Sequence, residues 1–115
     1  MLLMDDSIIR GNNIRRAREL LYDEAGVREA VLLSYTPPIG RVGRDGVPRG
    51  CEFGVDMPPN DNFIARGRTR QQIGDQIQMD IQYLSVRGML RAFRESGVKP
   101  KNLCTYCIGG EHPFK

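Results

Sequence analysis

The chain has 115 residues, enough for one domain. Its 40% apolar and 27% charged residues suit a globular protein. A net charge of +3 with only 7% aromatics argues against a nucleic-acid surface built from basic blocks and stacking rings. No apolar run approaches the roughly 20 residues that cross a bilayer, and Met1-Leu2-Leu3-Met4 is too short for a signal peptide. The expectation is a cytoplasmic protein with neither membrane nor nucleic-acid partner.

Leu2 to Met4 reads as a buried parallel strand, followed by a polar turn that holds Gly11. From Asn13 to Glu24 the pattern is helical, with Ile14, Ala17, Leu20 and Leu21 on one face and Gly26 as the stop. Ala30 to Leu33 is a second strand, and the three pieces make a βαβ unit with a right-handed crossover. Tyr35 to Gly50 is a long loop rich in Gly and Pro, of the kind that carries function or moves. Cys51 to Val55 reads as a short strand, broken at Met57-Pro58-Pro59-Asn60-Asp61. Thr69 to Ile77 is a helix with Thr69 as N-cap, and Ile81 to Leu84 a third strand. Ser85 to Glu95 is a helix striped by Val86, Met89, Leu90 and Phe93 and ended by Gly97 and Pro100. The division expected is a domain over 1–98 and a Cys-x-x-Cys tail over 99–115. Because the chain begins directly in an apolar strand, it reads as the second half of something larger.

Chemistry concentrates in Asp5-Asp6-Ser7-Ile8-Ile9-Arg10-Gly11-Asn12-Asn13, between the first strand and the first helix. Backbone N–H groups and the positive helix end converge at such a junction and favour a phosphate. Gly11 lets a ligand approach closely. Gly11→Val is therefore expected to abolish binding and spare the fold. Ser7, Asn12 and Asn13 add donors. In an open parallel sheet, ligands collect at the carboxyl ends of the strands. There, Asp5 and Asp6 can accept hydrogen bonds from a sugar diol or from water on Mg²⁺. A carboxylate also stabilises the positive charge that develops on a ribose ring when pyrophosphate leaves it. The plainer reading is a polar strand end and an ordinary N-cap.

This stretch resembles the phosphoribosyl pyrophosphate signature of type I phosphoribosyltransferases. Ser34-Tyr35-Thr36-Pro37-Pro38, Cys51-Glu52-Phe53-Gly54-Val55-Asp56-Met57-Pro58 and Phe63-Ile64-Ala65-Arg66-Gly67-Arg68-Thr69 extend the likeness. So do Tyr83-Leu84-Ser85-Val86 and Cys104-Thr105-Tyr106-Cys107. In that order they are similar to the carboxyl-terminal part of the amidophosphoribosyltransferase family, glycosyltransferases that open purine biosynthesis. The resemblance implies an α/β fold, a partial type I phosphoribosyltransferase-like parallel sheet with flanking helices. It implies that Asp5 and Asp6 are the catalytic carboxylates, holding the ribose hydroxyls and, through water, Mg²⁺. Ser7, Ile8, Ile9, Arg10, Gly11, Asn12 and Asn13 would form the 5′-phosphate cradle for phosphoribosyl pyrophosphate or a nucleoside monophosphate. Two departures stand out: Asn12 and Asn13 replace the family's usual threonines, and Gln78-Met79-Asp80 replaces its Gly-Ala-Asp.

By spacing, Cys51, Cys104 and Cys107 are open to three readings: free thiols, a zinc site with His112, or ligands of an iron–sulfur cluster. The resemblance implies the last, since one branch of the family holds a 4Fe-4S cluster on four cysteines. Three of those match here, and the fourth would lie before Met1. His112 reads as a surface residue, and Arg66 and Arg68, near a Gly, as side chains that touch the ligand or, on the plainer reading, face water.

The 115 residues hold no counterpart of the family's glutaminase or of its earlier transferase strands. The chain is thus expected to supply the ribose and 5′-phosphate half-site and to be inactive alone. It would form homo-oligomers or pair with the missing segments. The competing readings are a non-catalytic nucleotide-phosphate binding module and an iron–sulfur or zinc structural module.

Overall fold

A computed structural model describes residues 1–59 and 62–115. Three strands, β1 (Leu2–Asp5), β2 (Val31–Ser34) and β3 (Asp80–Tyr83), form one parallel sheet in the order of the sequence. Helix α1 (Asn12–Glu19) connects β1 to β2, α2 (Arg70–Ile77) lies between β2 and β3, and α3 (Val86–Glu95) follows β3. The fold is therefore α/β, a short parallel sheet with flanking helices, as the resemblance implies.

Local sequence accounts for the element ends. Thr69 and Gln72 make a capping box at α2: Gln72 N–H donates to Thr69 Oγ1 at 3.2 Å, and Thr69 N–H donates to Gln72 Oε1 at 2.9 Å. Ser85 caps α3, its Oγ accepting from Gly88 N–H at 3.0 Å. Gly97, at φ +86°, stops that helix as expected.

Registry divides the sheet into two faces. Leu3, Leu32 and Ile81 lie in one row of one face, and Asp5, Ser34 and Tyr83 in the next row of that face. Leu32 and Ile81 are fully buried there, packed with Ile14 of α1 and Ile73 and Ile77 of α2. Both helices thus cover the same face. The opposite face carries Leu2, Met4, Val31 and Leu33, with Leu2 67% and Met4 52% exposed. This corrects the expectation of a buried first strand: β1 is the sheet edge, and one of its faces is bare.

Three further expectations change. The α-helical spacing holds only to Glu19. Leu20 to Glu24 form a π turn, with Ala25 N–H donating to Leu20 O at 2.9 Å, so the register rotates. Leu20 is left exposed, and Tyr22 packs on the core with its hydroxyl accepting Ala30 N–H at 2.9 Å. Cys51 to Val55 is not a strand. Cys51 makes one antiparallel bridge to Met57 while 52–56 bend back, because Cys51 N–H and Met57 N–H are satisfied within the segment, by Met57 O and Val55 O. The break after it falls partly on Asn60 and Asp61, outside the described residues. Helix α3 forms, but its stripe packs on no core: Val86 and Phe93 are each 40% exposed.

A second cluster of Ile39, Met57 and Phe63, with Ile9, Cys51, Cys107 and Ile108 against it, joins the long loop to the tail. The 35–50 loop is pinned rather than free: Gly40 N–H donates to Cys107 O at 3.0 Å, and Val42 bridges to Pro48. Arg66 is partly buried and tied to the backbone rather than simply facing water. Its guanidinium donates to the carbonyls of Gly40, Pro59 and Arg49 and lies 4.6 Å from the Phe63 ring centroid. Arg68 is exposed and donates to Ile64 O at 3.2 Å.

Tyr83 ends β3 with a buried hydroxyl that has no partner among the described residues. Burial pushes this phenol up to about 12, against a smaller opposing effect of the Arg41 charge. The neutral phenol is the form the fold favours. Its contribution is complete below about pH 10 and is lost as pH rises towards about 12. Tyr83→Phe should therefore flatten the loss of stability between those pH values. Near neutrality it should leave stability unchanged or slightly higher, because it removes an unpaired buried group. Denaturant midpoints across that alkaline range test this. An identical alkaline decline in both proteins would refute it.

Candidate functional site

The turn after β1 is held from both sides. Ile8 is 2% exposed and belongs to the sheet core, while Ile9 packs on the second cluster and its carbonyl accepts Ile64 N–H at 2.8 Å. These two aliphatic residues, singled out as cradle members, therefore act as anchors and offer the cavity mainly backbone. Between them the turn forms an open cavity of about 260 Å³ lined by Asp5 to Ile14, every residue of the motif included.

Gly11 is the N-cap of α1, at φ +82° and ψ 2°, and makes no side-chain cap. The first N–H groups of the helix are thus left without a side-chain acceptor from the cap, an arrangement suited to an anion. A Cβ on Gly11 would sit 2.8 Å from Ile64 Cδ1. Gly11→Val therefore strains the turn and pushes on the core, which corrects the expectation that it spares the fold. Asn12 and Asn13 open α1 and are exposed. Arg10 extends to Asp56 O at 3.4 Å.

Asp5 is the last residue of β1, at the carboxyl end of the sheet. Its Oδ1 accepts Asp6 N–H at 3.0 Å, and the Ser7 hydroxyl lies 3.4 Å from Asp6 Oδ1. Partial burial pushes the Asp5 carboxyl above its ordinary value, the Asp6 N–H opposes this, and the neighbouring Asp6 charge adds to it. Two adjacent carboxylates, one half-buried and one exposed, suit Mg²⁺, which keeps most of its water and takes few protein ligands. Among the described residues no group of three or more His, Cys, Asp or Glu side chains is placed to hold a metal alone.

The cysteines are partly gathered. Cys51 and Cys107 pack against the same cluster, and Cys104 is exposed. Burial pushes the Cys107 thiol up, and the charges of Cys51 and Cys104 push it further. Cys51 is lowered by the N–H groups of Gly54 and Phe53, which favour a thiolate. A 4Fe-4S cluster is usually held by four thiolates, and the described residues supply three cysteines. His112 is not a surface residue, its side chain being 15% exposed. Its ring packs edge-on against Phe53, at 5.3 Å, and Tyr106, at 5.1 Å, with Glu52 at 3.5 Å from Nε2. A single histidine between Gly-Gly-Glu and Pro gave no periodic signal of that packing.

Sequence comparison finds curated proteins similar to nearly the whole chain. The chain is 33% identical over 98% of its length to amidophosphoribosyltransferase of Archaeoglobus fulgidus, and 37% identical over 97% to that of Synechococcus elongatus. It is 33% identical over 98% to that of Methanocaldococcus jannaschii. The chain matches the carboxyl-terminal part of amidophosphoribosyltransferases. It spans about a fifth of the length of these curated relatives, 20% to 23%. No protein-family model matches it. Among the described residues, no helix is long and apolar enough to cross a membrane.

Proposed function

We propose that the chain is the ribose- and 5′-phosphate-binding portion of an amidophosphoribosyltransferase. That enzyme makes phosphoribosylamine from phosphoribosyl pyrophosphate and ammonia drawn from glutamine, in purine biosynthesis. The observation that carries the reading is the cavity lined by the whole of Asp5 to Ile14, set where β1 ends and α1 begins.

In this reading the α1 N-terminus and the Gly11 turn take the 5′-phosphate, with Ser7, Asn12 and Asn13 as donors. Asp5 and Asp6 accept from the ribose hydroxyls. Their charge stabilises the cationic ribose as pyrophosphate departs. Mg²⁺, when bound, adds a counter-charge for the diphosphate, held by the same carboxylates through water. The remaining polypeptide of the enzyme completes the sheet and supplies ammonia, so the 115-residue chain alone forms no phosphoribosylamine.

Asp6→Asn combined with Ser7→Ala should weaken binding of ribose 5-phosphate by tenfold or more in calorimetry. Both side chains are exposed or half-buried, so the fold should survive. Wild-type affinity in that variant would mean that the phosphosugar is held elsewhere.

A further inference from the structure

Behind the phosphate turn lies a second cavity, of about 670 Å³, whose walls include Arg10, Asn12, Arg15, Arg66, Arg68 and Gln76. No carboxylate is among its described lining residues. We propose that this cavity is a second anion site, taking a small, multiply charged phosphate compound. It does not depend on the reading of the first site.

The argument begins with how the guanidinium groups are held. Arg16, Arg49, Arg70 and Arg91 each pair with a carboxylate, Glu19, Asp45, Asp80 and Glu95. Arg15 and Arg68 are held instead by neutral oxygens. Arg15 Nη1 donates to Arg10 O at 3.3 Å and reaches Asn12 Oδ1 at 3.5 Å, and Arg68 Nη1 donates to Ile64 O at 3.2 Å. Among the described residues each guanidinium uses one nitrogen and keeps Nε–H and the Nη2 hydrogens available. A fork oriented by backbone oxygens, with donors to spare and full charge, fits the tetrahedral oxygens of a phosphate.

The neighbouring groups support an anion over an apolar ligand. Asn12 and Gln76 contribute amides. Phe63 lines the cavity too, but it is 2% exposed and covered by the Arg66 guanidinium, so it offers no open stacking face. The volume falls within the range of small-molecule sites, roughly 300–1,000 Å³. Arg10 and Asn12 line both this cavity and the one lined by Asp5 to Ile14, so ligands in the two would share a wall. Any resulting coupling of their affinities would be reciprocal.

The test uses the full chain with inorganic tripolyphosphate as the probe, near physiological salt. Asp6→Asn and Ser7→Ala are already in place to weaken the first site. The amides of Arg68 and Gln76 should shift on titration, and adding Arg15→Gln and Arg68→Gln should lower the affinity at least tenfold. Shifts confined to residues 6–13, or no saturable binding, would overturn the proposal. So would an unchanged affinity after the two arginine substitutions. The shift map on the chain that keeps both arginines stands even if their removal disturbs folding.

Discussion

Gly40→Ala should be among the most damaging single substitutions in this chain, costing roughly 2–4 kcal/mol. Gly40 has φ +83°, and a Cβ there would lie 2.3 Å from Phe63 Cγ and 2.7 Å from both Cδ atoms. The ring cannot retreat easily. It is 2% exposed and fills the second cluster, with the Arg66 guanidinium 4.6 Å from its centroid. The backbone of Gly40 is equally committed: its N–H donates to Cys107 O at 3.0 Å and its carbonyl accepts from Arg66 Nε at 2.8 Å. A shift that relieved the clash would loosen the contact between the 35–50 loop and the tail. Gly46 provides the comparison. It also has a positive φ, +77°, but nothing lies within 4 Å of its added Cβ. Gly46→Ala should thus cost only backbone strain, about 1 kcal/mol. Urea midpoints of the two variants decide the matter, and equal losses would show that packing on Phe63 contributes little.

Studied alone, the chain should self-associate at micromolar concentration. Parallel sheets are almost always covered on both faces, and here α1 and α2 cover only one. The bare face presents Leu2 and Met4, with Met1 59% exposed and Tyr35 55% exposed nearby in sequence or registry. Strand β1 also forms the sheet edge, a template for pairing with another strand. The stripe of α3 adds Val86 and Phe93, each 40% exposed. Covering about 400 Å² of such surface is worth roughly 10 kcal/mol, enough to offset much of the cost of association. Leu2→Lys with Met4→Glu should shift sedimentation towards monomer without unfolding the chain, because neither side chain belongs to the core. A wild-type chain that sediments as a single monomer and melts cooperatively would end the argument. Within the proposed enzyme, these surfaces are where the rest of the polypeptide would sit.

Much of the architecture was legible locally. Strands need only short apolar runs bounded by turn residues, and helices announce themselves through caps and periodicity. Leu2–Asp5, Val31–Ser34 and Asp80–Tyr83 fall within a residue or so of expectation, as do the caps at Thr69 and Ser85. The strand-to-helix motif of Asp5 to Asn13 was legible for the same reason: its chemistry is contiguous, and so is the cavity it lines. Features that join distant residues were not. Whether β1 lies at an edge depends on which strands neighbour it, and a run of apolar residues carries no record of that. The π turn at Leu20–Glu24 accompanies the bond from Ala30 N–H to the Tyr22 hydroxyl, a contact outside the helix itself. Arg66 reads as an ordinary charged side chain until three carbonyls from separate segments are found around it. His112 has no neighbour in the sequence that foretells its place among Phe53 and Tyr106. The sequence by itself determined the three strands, the capped helices and the polar turn between β1 and α1, because these are set by residues close along the chain. Only the tertiary structure decided which faces are covered, what anchors the turn, and that Arg15 and Arg68 border a second cavity, because burial and charge neutralisation are properties of what surrounds a residue.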